Sequence, residues 1–254
     1  MTTVATPVEV DSAPFRINLG DEQTEFSGTS RLFADVATGF GVDMDAEERK
    51  DWQTLGRASY IVDQYLDVER DHIRPNIALQ LFSGESIPDV PTQLTADCLE
   101  FLERQTEARQ REIWQLLDQV KPLVDRQAAA ESPDEVVSVR LEEAELLANL
   151  LSLPVEGRRD ATARQRFNAW LRIFCRTGYM FDSFLDLKED YLSGASGVRP
   201  NFRARRVIGA AVLKEALDAT RTMSPRVIGR CAIVALRYEI RNKKPDFTNP
   251  DEVI

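Results

Sequence analysis

The strongest indication of the fold comes from residues 164–192, RQRFNAWLRIFCRTGYMFDSFLDLKEDYL. Its apolar residues recur at helical spacing, so we predict one long helix from about residue 162 to residue 191. In a helix of about 3.6 residues per turn, positions i, i+4 and i+8 lie on one side. Asp182, Asp186 and Asp190 therefore form a row of three carboxylates on an otherwise apolar helix.

An earlier segment repeats this pattern. In DQYLDVERD, residues 63–71, Asp63, Asp67 and Asp71 have the same spacing, with an aromatic residue and a leucine at matching places. With 21 aspartates in 254 residues, chance gives about 0.14 such triplets per chain, so two are expected in about one chain in a hundred. Like charges one turn apart destabilise a helix. We therefore expect a multivalent cation to compensate both rows, and the alternative is a pair of solvated acidic faces.

The rest of the chain also shows helical patterns, with no convincing strand alternation. Hydrophobic residues make up 43% of its 254 residues, enough for one large domain with a core. We predict that residues 1–28 form an N-terminal arm, mobile or capping, and that residues 29–254 form a single all-α domain. We expect a helical bundle around a central cavity. The other long helices are predicted at about 46–74, 94–120, 133–153, 202–221 and 225–242.

Charge and hydropathy exclude several classes of partner. The net charge of −10 argues against nucleic acid, which requires basic surface. No apolar run approaches the roughly 18 residues of a membrane span, and the N-terminus lacks a secretory pattern. Cys98, Cys175 and Cys231 lie far apart, as expected for reduced thiols in a cytoplasmic protein.

The kind of metal follows from the ligands. Carboxylate rows without histidine favour hard cations, above all Mg²⁺. Mg²⁺ takes one or two carboxylates and completes its shell with water and substrate phosphates, so two facing rows predict Mg²⁺ ions that hold a diphosphate. A ferritin-like di-iron bundle needs Glu-x-x-His on two helices. The single histidine, His72, excludes that class, and we interpret it as a surface or capping residue.

The two aspartate segments resemble the two acidic motifs of the class I terpenoid (isoprenoid) synthase superfamily. The all-aspartate form is most similar to squalene and phytoene synthases and to the bacterial large-terpene synthases. Arg237 and Tyr238 in VALRYEI are similar to the Arg-Tyr pair that contacts diphosphate in terpene cyclases. The resemblance implies an isoprenoid synthase-like fold and a cytoplasmic, Mg²⁺-dependent terpene synthase or cyclase. Its substrate would be a prenyl diphosphate, with C20 (geranylgeranyl or copalyl diphosphate) favoured over C15.

The resemblance also implies a role for particular residues. The metal ligands, for a cluster of up to about three Mg²⁺ ions, would be Asp63, Asp67, Asp71, Asp182, Asp186 and Asp190. The catalytic set would be Asp63, Asp67, Asp182, Asp186, Asp190, Arg237 and Tyr238. The substrate-binding candidates, which supply aromatic faces, space or positive charge, are Tyr60, Tyr179, Phe181, Gly178, Lys188 and Arg140. For the aromatic residues, simple core packing is the alternative.

Two other functions stay open at this point. One is head-to-head condensation of two prenyl diphosphates, as in squalene and phytoene synthases. The other is a non-catalytic helical binding protein on the same fold. A homodimer is compatible with each of these functions. We expect no nucleic-acid partner and no membrane span.

Overall fold

A computed structural model describes residues 37–38, 40–68, 76–88, 90–155 and 160–222, without the side chains of residues 64–68 and 222. Helices make up 81% of this part of the chain, which contains no strand. The all-α prediction is therefore confirmed. In chain order the helices are α1 (Ala46–Val68), α2 (Ile77–Ser83), α3 (Thr92–Glu103), α4 (Glu107–Asp118), α5 (Val120–Ala128), α6 (Pro133–Ser152), a 3₁₀ turn (Leu153–Val155), α7 (Ala161–Leu185), α8 (Leu187–Ser193) and α9 (Phe202–Thr222).

The main core forms where α1, α6 and α7 meet. Phe167 and Trp170 of α7 stack with ring centroids 5.7 Å apart, and Trp52 of α1 lies 5.7 Å from Phe167. The indole Nε1 of Trp52 donates to the carbonyl of Leu151 at the end of α6. These large rings each bury much apolar surface, which favours the close approach of the three helices.

Two antiparallel pairings set the positions of the site residues. Trp52 bonds to Leu151, and Asp63 lies near Arg140. The chain advances by eleven positions along α1 and falls by eleven along α6 between these pairings, so the two helices run antiparallel. On the other side, Arg176 of α7 pairs with the buried Glu215 of α9 at 2.9 Å.

The helix starts follow sequence signals. Ser132 caps α6, where its hydroxyl accepts from the Glu135 N–H and the Glu135 carboxylate accepts from the Ser132 N–H. This capping box confirms the start predicted from Ser132-Pro133-Asp134-Glu135. The prediction of a single helix from residue 94 to residue 120 was wrong. That stretch is divided between α3 and α4, and the Thr106 hydroxyl caps α4 by accepting from the Arg109 N–H.

The long helix predicted from residue 162 to residue 191 is interrupted. Helix α7 ends at Leu185 and α8 begins at Leu187, with Asp186 between them at φ −95° and ψ 7°. The Asp186 N–H still donates to the Asp182 carbonyl at 2.9 Å, and the Asp190 N–H to the Asp186 carbonyl at 2.8 Å. A second apolar cluster, which includes Leu187 and Ile208, anchors the start of α8. The bend thus lies in the middle of the aspartate row.

The loop after α8 is tightly held against the end of α5. Gly194 ends α8 at φ +79°, a left-handed conformation that favours glycine. A Cβ at Gly197 would lie 2.6 Å from the carbonyl oxygen of Ala130, and Val198 is buried in the second apolar cluster. None of the helices described is both long and apolar enough to cross a membrane.

Several predictions lie outside the described residues. They are the N-terminal arm at 1–28, the end of the first long helix at 69–74 and the helix at 225–242.

Candidate functional site

A buried arginine on α6 is the centre of the candidate site. The Arg140 guanidinium donates to Asp182 Oδ2 at 2.9 Å, to Glu143 Oε2 at 3.1 Å and to Ser183 Oγ at 2.8 Å. Its Cζ atom lies 5.2 Å from the centre of the Tyr179 ring, within the range of a cation–π contact. Hydrogen bonds and stacking together fix the guanidinium in one orientation.

Ser183 connects this arginine to the backbone of α7. Its hydroxyl accepts from Arg140 Nε and donates to the Tyr179 carbonyl at 2.8 Å. The serine is almost fully buried, so both bonds are shielded from water. Because Ser183 directly follows Asp182, the same helical turn that carries the first carboxylate also holds the arginine.

The aspartates of both predicted rows converge on Arg140. Burial disfavours the charge of Arg140, but the carboxylates of Glu143, Asp182, Asp190 and Asp63 together raise its pKa. Asp63 comes from α1, whereas Asp182 and Asp190 belong to α7 and α8. Charges from both rows therefore act on one guanidinium, which Asp182 contacts directly and beside which Asp63 lines the same cavity.

The carboxylates of the row on α7 and α8 influence one another. Burial and the carboxylates of Asp186 and Asp190 together outweigh the effect of the Arg140 guanidinium and raise the pKa of the Asp182 carboxyl to about 7. The Asp182 side chain keeps 52% of its surface exposed, so solvent screening weakens the effect of burial. Near neutral pH the Asp182 carboxyl is therefore partly protonated, because it lies beside two other carboxylates of the row.

A cavity of about 370 Å³ extends from this cluster into the bundle. Asp63, Arg140, Glu143 and Tyr179 form one pole of its lining, which we call the charged pole. Most of the remaining wall is apolar and comes from α1, α2, α4, α5 and α6, with Leu55, Ala58, Phe82, Leu117, Leu147 and Leu150 among its residues. Such a cavity binds a ligand with a charged head and a hydrocarbon body.

Tyr179 is the predicted aromatic residue that lies at the cavity. Burial raises the pKa of its hydroxyl well above the ordinary value, and the carboxylates of Glu143 and Asp63 add to the shift. The ring therefore stays neutral, with one face over Arg140. Tyr60, by contrast, packs at the edge of the main core and is not part of the cavity wall.

Three other substrate-binding candidates lie away from the cavity. Phe181 is 42% exposed, Gly178 and Lys188 are also exposed, and none of the three lines the cavity. A Cβ at Gly178 would meet no atom within 4 Å. The structure thus brings together Arg140 and Tyr179 of the substrate-binding set, but not these residues.

Four predicted site residues lie outside the described part of the chain. They are Asp71, Arg237 and Tyr238, together with the side chain of Asp67. Within that part, no three histidine, cysteine, aspartate or glutamate side chains form a group that could hold a metal ion.

Two residues of the cluster, Glu143 and Ser183, were not predicted. Glu143 is buried three residues after Arg140 on α6. A signal for it was present, because Val136, Arg140, Glu143, Leu147 and Leu150 recur at intervals of three and four residues. Charged residues at such positions lie on the inward face of a helix, where they require partners.

Comparisons of the chain with protein-family models, with curated protein sequences and with solved structures found no match.

Proposed function

We propose that the protein is an Mg²⁺-dependent terpene synthase with an isoprenoid synthase-like fold, which ionises a prenyl diphosphate at the charged pole of the cavity. One observation carries the proposal. Asp182 of the second aspartate row pairs with the buried Arg140, the charges of Asp190 and of Asp63 from the first row act on the same guanidinium, and Arg140 and Asp63 line a largely apolar cavity.

The chemistry of the donors fits Mg²⁺. The charges of four described carboxylates act on the single guanidinium of Arg140, so this cluster carries net negative charge. All its donors to a cation are oxygens, and Mg²⁺ needs only one or two carboxylates beside water and phosphate. The residues that would hold the ions are Asp63, Asp182, Asp186 and Asp190, together with Asp67 and Asp71. Bound Mg²⁺ would neutralise the charge that develops on the departing diphosphate.

Arg140 would bind the diphosphate directly. A guanidinium donates to phosphate oxygens through a planar set of N–H groups. Glu143, Ser183 and Tyr179 hold it in place before the substrate arrives. Donors held in a fixed orientation stabilise developing charge without reorganisation.

The apolar wall would hold the hydrocarbon chain and exclude water. A carbocation formed by ionisation reacts rapidly with water, so a dry cavity prevents that side reaction. The neutral ring of Tyr179 borders the charged pole, and an aromatic face stabilises a nearby cation by about 0.5–2 kcal/mol.

The decisive experiment measures release of inorganic diphosphate from farnesyl, geranylgeranyl and copalyl diphosphate, with and without Mg²⁺, together with analysis of the hydrocarbon products. We expect release that requires Mg²⁺ and falls at least about 100-fold in Asp182→Asn and Asp186→Asn. Glu189→Gln, an exposed acid in the same stretch, is the control and should retain activity. Absence of Mg²⁺-dependent release from every substrate, or full activity in Asp182→Asn, would rule out the proposal.

A further inference from the structure

The length of the cavity can be read from the helices that line it. On α6 its wall runs from Arg140 to Leu150, and on α1 from Asp63 to Leu55. At a rise of about 1.5 Å per residue, these spans are about 15 Å and 12 Å. The antiparallel register of α1 and α6 places Asp63 beside Arg140 and the Leu55 end of α1 beside the Leu150 end of α6, because Trp52 bonds to Leu151. The cavity therefore has a charged pole and, 12–15 Å away, an apolar end formed by Leu55 and Leu150.

An extended hydrocarbon chain can be compared with this length. With C–C bonds of about 1.5 Å, a zigzag chain advances ~1.3 Å per bond, so 12–15 Å accommodates roughly ten to thirteen carbons in a row. A C15 prenyl group has a main chain of twelve carbons, and a C20 group has sixteen.

From this length we infer that the substrate is a C15 prenyl diphosphate, whose chain ends against Leu55 and Leu150, and that Leu150 sets the maximum chain length. This inference rests on the proposed function for the identity of the head group. It differs from the C20 preference that the sequence resemblance implied, because that resemblance contains no information on the depth of the cavity.

Leu150 and its neighbour Leu151 form a matched pair for testing this inference. Both side chains are buried to the same extent, with 8% of their surface exposed, but only Leu150 lines the cavity. Shortening Leu150 to alanine lengthens the space for a chain, whereas the same change at Leu151 leaves the cavity wall intact. Ala58, buried on α1 between Leu55 and Asp63, offers the opposite change, since Ala58→Leu obstructs the cavity partway along.

The first experiment needs neither metal nor turnover. Dissociation constants of 1-alkanols with 8 to 18 carbons are measured by titrating the shift of the thermal unfolding midpoint. We expect the affinity of the wild-type protein to rise about fourfold per methylene up to about twelve carbons and then to level off. The alkanol length at which the affinity levels off should increase by one to three carbons in Leu150→Ala. It should stay at about twelve carbons in Leu151→Ala and fall to about eight in Ala58→Leu.

The second experiment uses the proposed substrates. With Mg²⁺, kcat/KM for farnesyl diphosphate should exceed that for geranylgeranyl diphosphate at least tenfold, and Leu150→Ala should reduce this ratio. A wild-type affinity that keeps rising to 16 carbons, no binding of any alkanol, or equal shifts in Leu150→Ala and Leu151→Ala would overturn the inference. If Leu150→Ala does not fold, the inference is tested by the alkanol length at which the affinity of Ala58→Leu levels off. A chain-length limit without any turnover would refute the proposed function while supporting the cavity length.

Discussion

Arg140 Nη2 of α6 lies 2.9 Å from Asp182 Oδ2 of α7, so the buried guanidinium is paired with the first carboxylate of the aspartate row. This contact joins the two helices beside the charged pole of the cavity. It connects the stability of the fold to the geometry of the site, because the same guanidinium also pairs with the buried Glu143.

Removing Arg140 should therefore destabilise the protein strongly. Arg140→Ala leaves the Glu143 carboxylate buried without its cation, and the side chains of the two residues are only 10% and 9% exposed. Loss of one partner of a buried pair lowers the free energy of unfolding by ~3–5 kcal/mol. Urea unfolding of the wild type and of Arg140→Ala would measure this difference. The double variant Arg140→Met/Glu143→Leu should recover most of this loss.

The control for that experiment is an exposed pair that joins α5 to α6. Arg126 and Glu142 form a pair at 2.5 Å with side chains 52% and 45% exposed, so Arg126→Ala should cost less than about 1 kcal/mol. Equal destabilisation by Arg126→Ala and Arg140→Ala would contradict the assignment of Arg140 as a buried structural centre.

Metal binding can be tested without substrate. Mn²⁺ serves as a paramagnetic substitute for Mg²⁺, and the signal of the free ion in electron paramagnetic resonance gives its affinity. We expect Asp186→Asn to weaken Mn²⁺ binding by roughly tenfold or more, because Asp186 lies between the two other carboxylates of its row. Glu189→Gln, which removes a charge from the same stretch, should change the affinity by less than about threefold. Similar losses in the two variants would indicate a general charge effect rather than a site.

The capping box of α6 predicts a pH-dependent contribution to stability. The N–H groups of Glu131 and Ser132 donate to the Glu135 carboxylate and lower its pKa. A lowered pKa in the folded state means that the contribution is complete above the ordinary carboxyl pKa of about 4.3 and is lost as pH falls through the lower folded value. The difference in Tm between wild type and Glu135→Gln should be largest near pH 6 and should shrink below about pH 4. A constant difference over this range would contradict the role of the ionised carboxylate.

Two glycines predict opposite effects of the same substitution. Gly178 lies in α7 with no atom within 4 Å of a Cβ, so Gly178→Ala should stabilise the protein by about 0.5–1 kcal/mol. At Gly197 a Cβ would lie 2.6 Å from the Ala130 carbonyl oxygen, so Gly197→Ala should destabilise by ~1–3 kcal/mol. Calorimetric melting curves would measure both effects. Destabilisation by Gly178→Ala would show that this position contacts another part of the chain.

The sequence predicted the helical class and several helix ends because the signals are local. Ser132 and Glu135 cap α6 through bonds that span three residues, and Pro154 follows the end of that helix as expected. Local signals can also be missed. Thr106 starts α4 with a side-chain cap, but the apolar periodicity continues across it, so the sequence favoured a single helix.

The site was predictable only as far as spacing along the chain allowed. The aspartate rows were visible in the sequence, but the bend at Asp186 depends on the burial of Leu187 in a cluster with residues of α6 and α9. The partnership of Arg140 with Asp182 joins residues 42 positions apart, which no periodicity reveals. Phe181 follows Tyr179 by two residues and therefore projects from another side of α7, which explains its 42% exposure.

The antiparallel walls of α1 and α6 also have a consequence for how the protein could diversify. One helical turn advances about 5.4 Å, close to the ~5 Å that four C–C bonds span. On α6, Arg140, Glu143, Leu147 and Leu150 lie on successive turns of the cavity wall, so these positions divide it into steps of one isoprene unit. An exchange between a large and a small side chain at Leu147 or Leu150 would therefore change the accepted chain by at most one isoprene unit, the interval by which natural prenyl diphosphates differ.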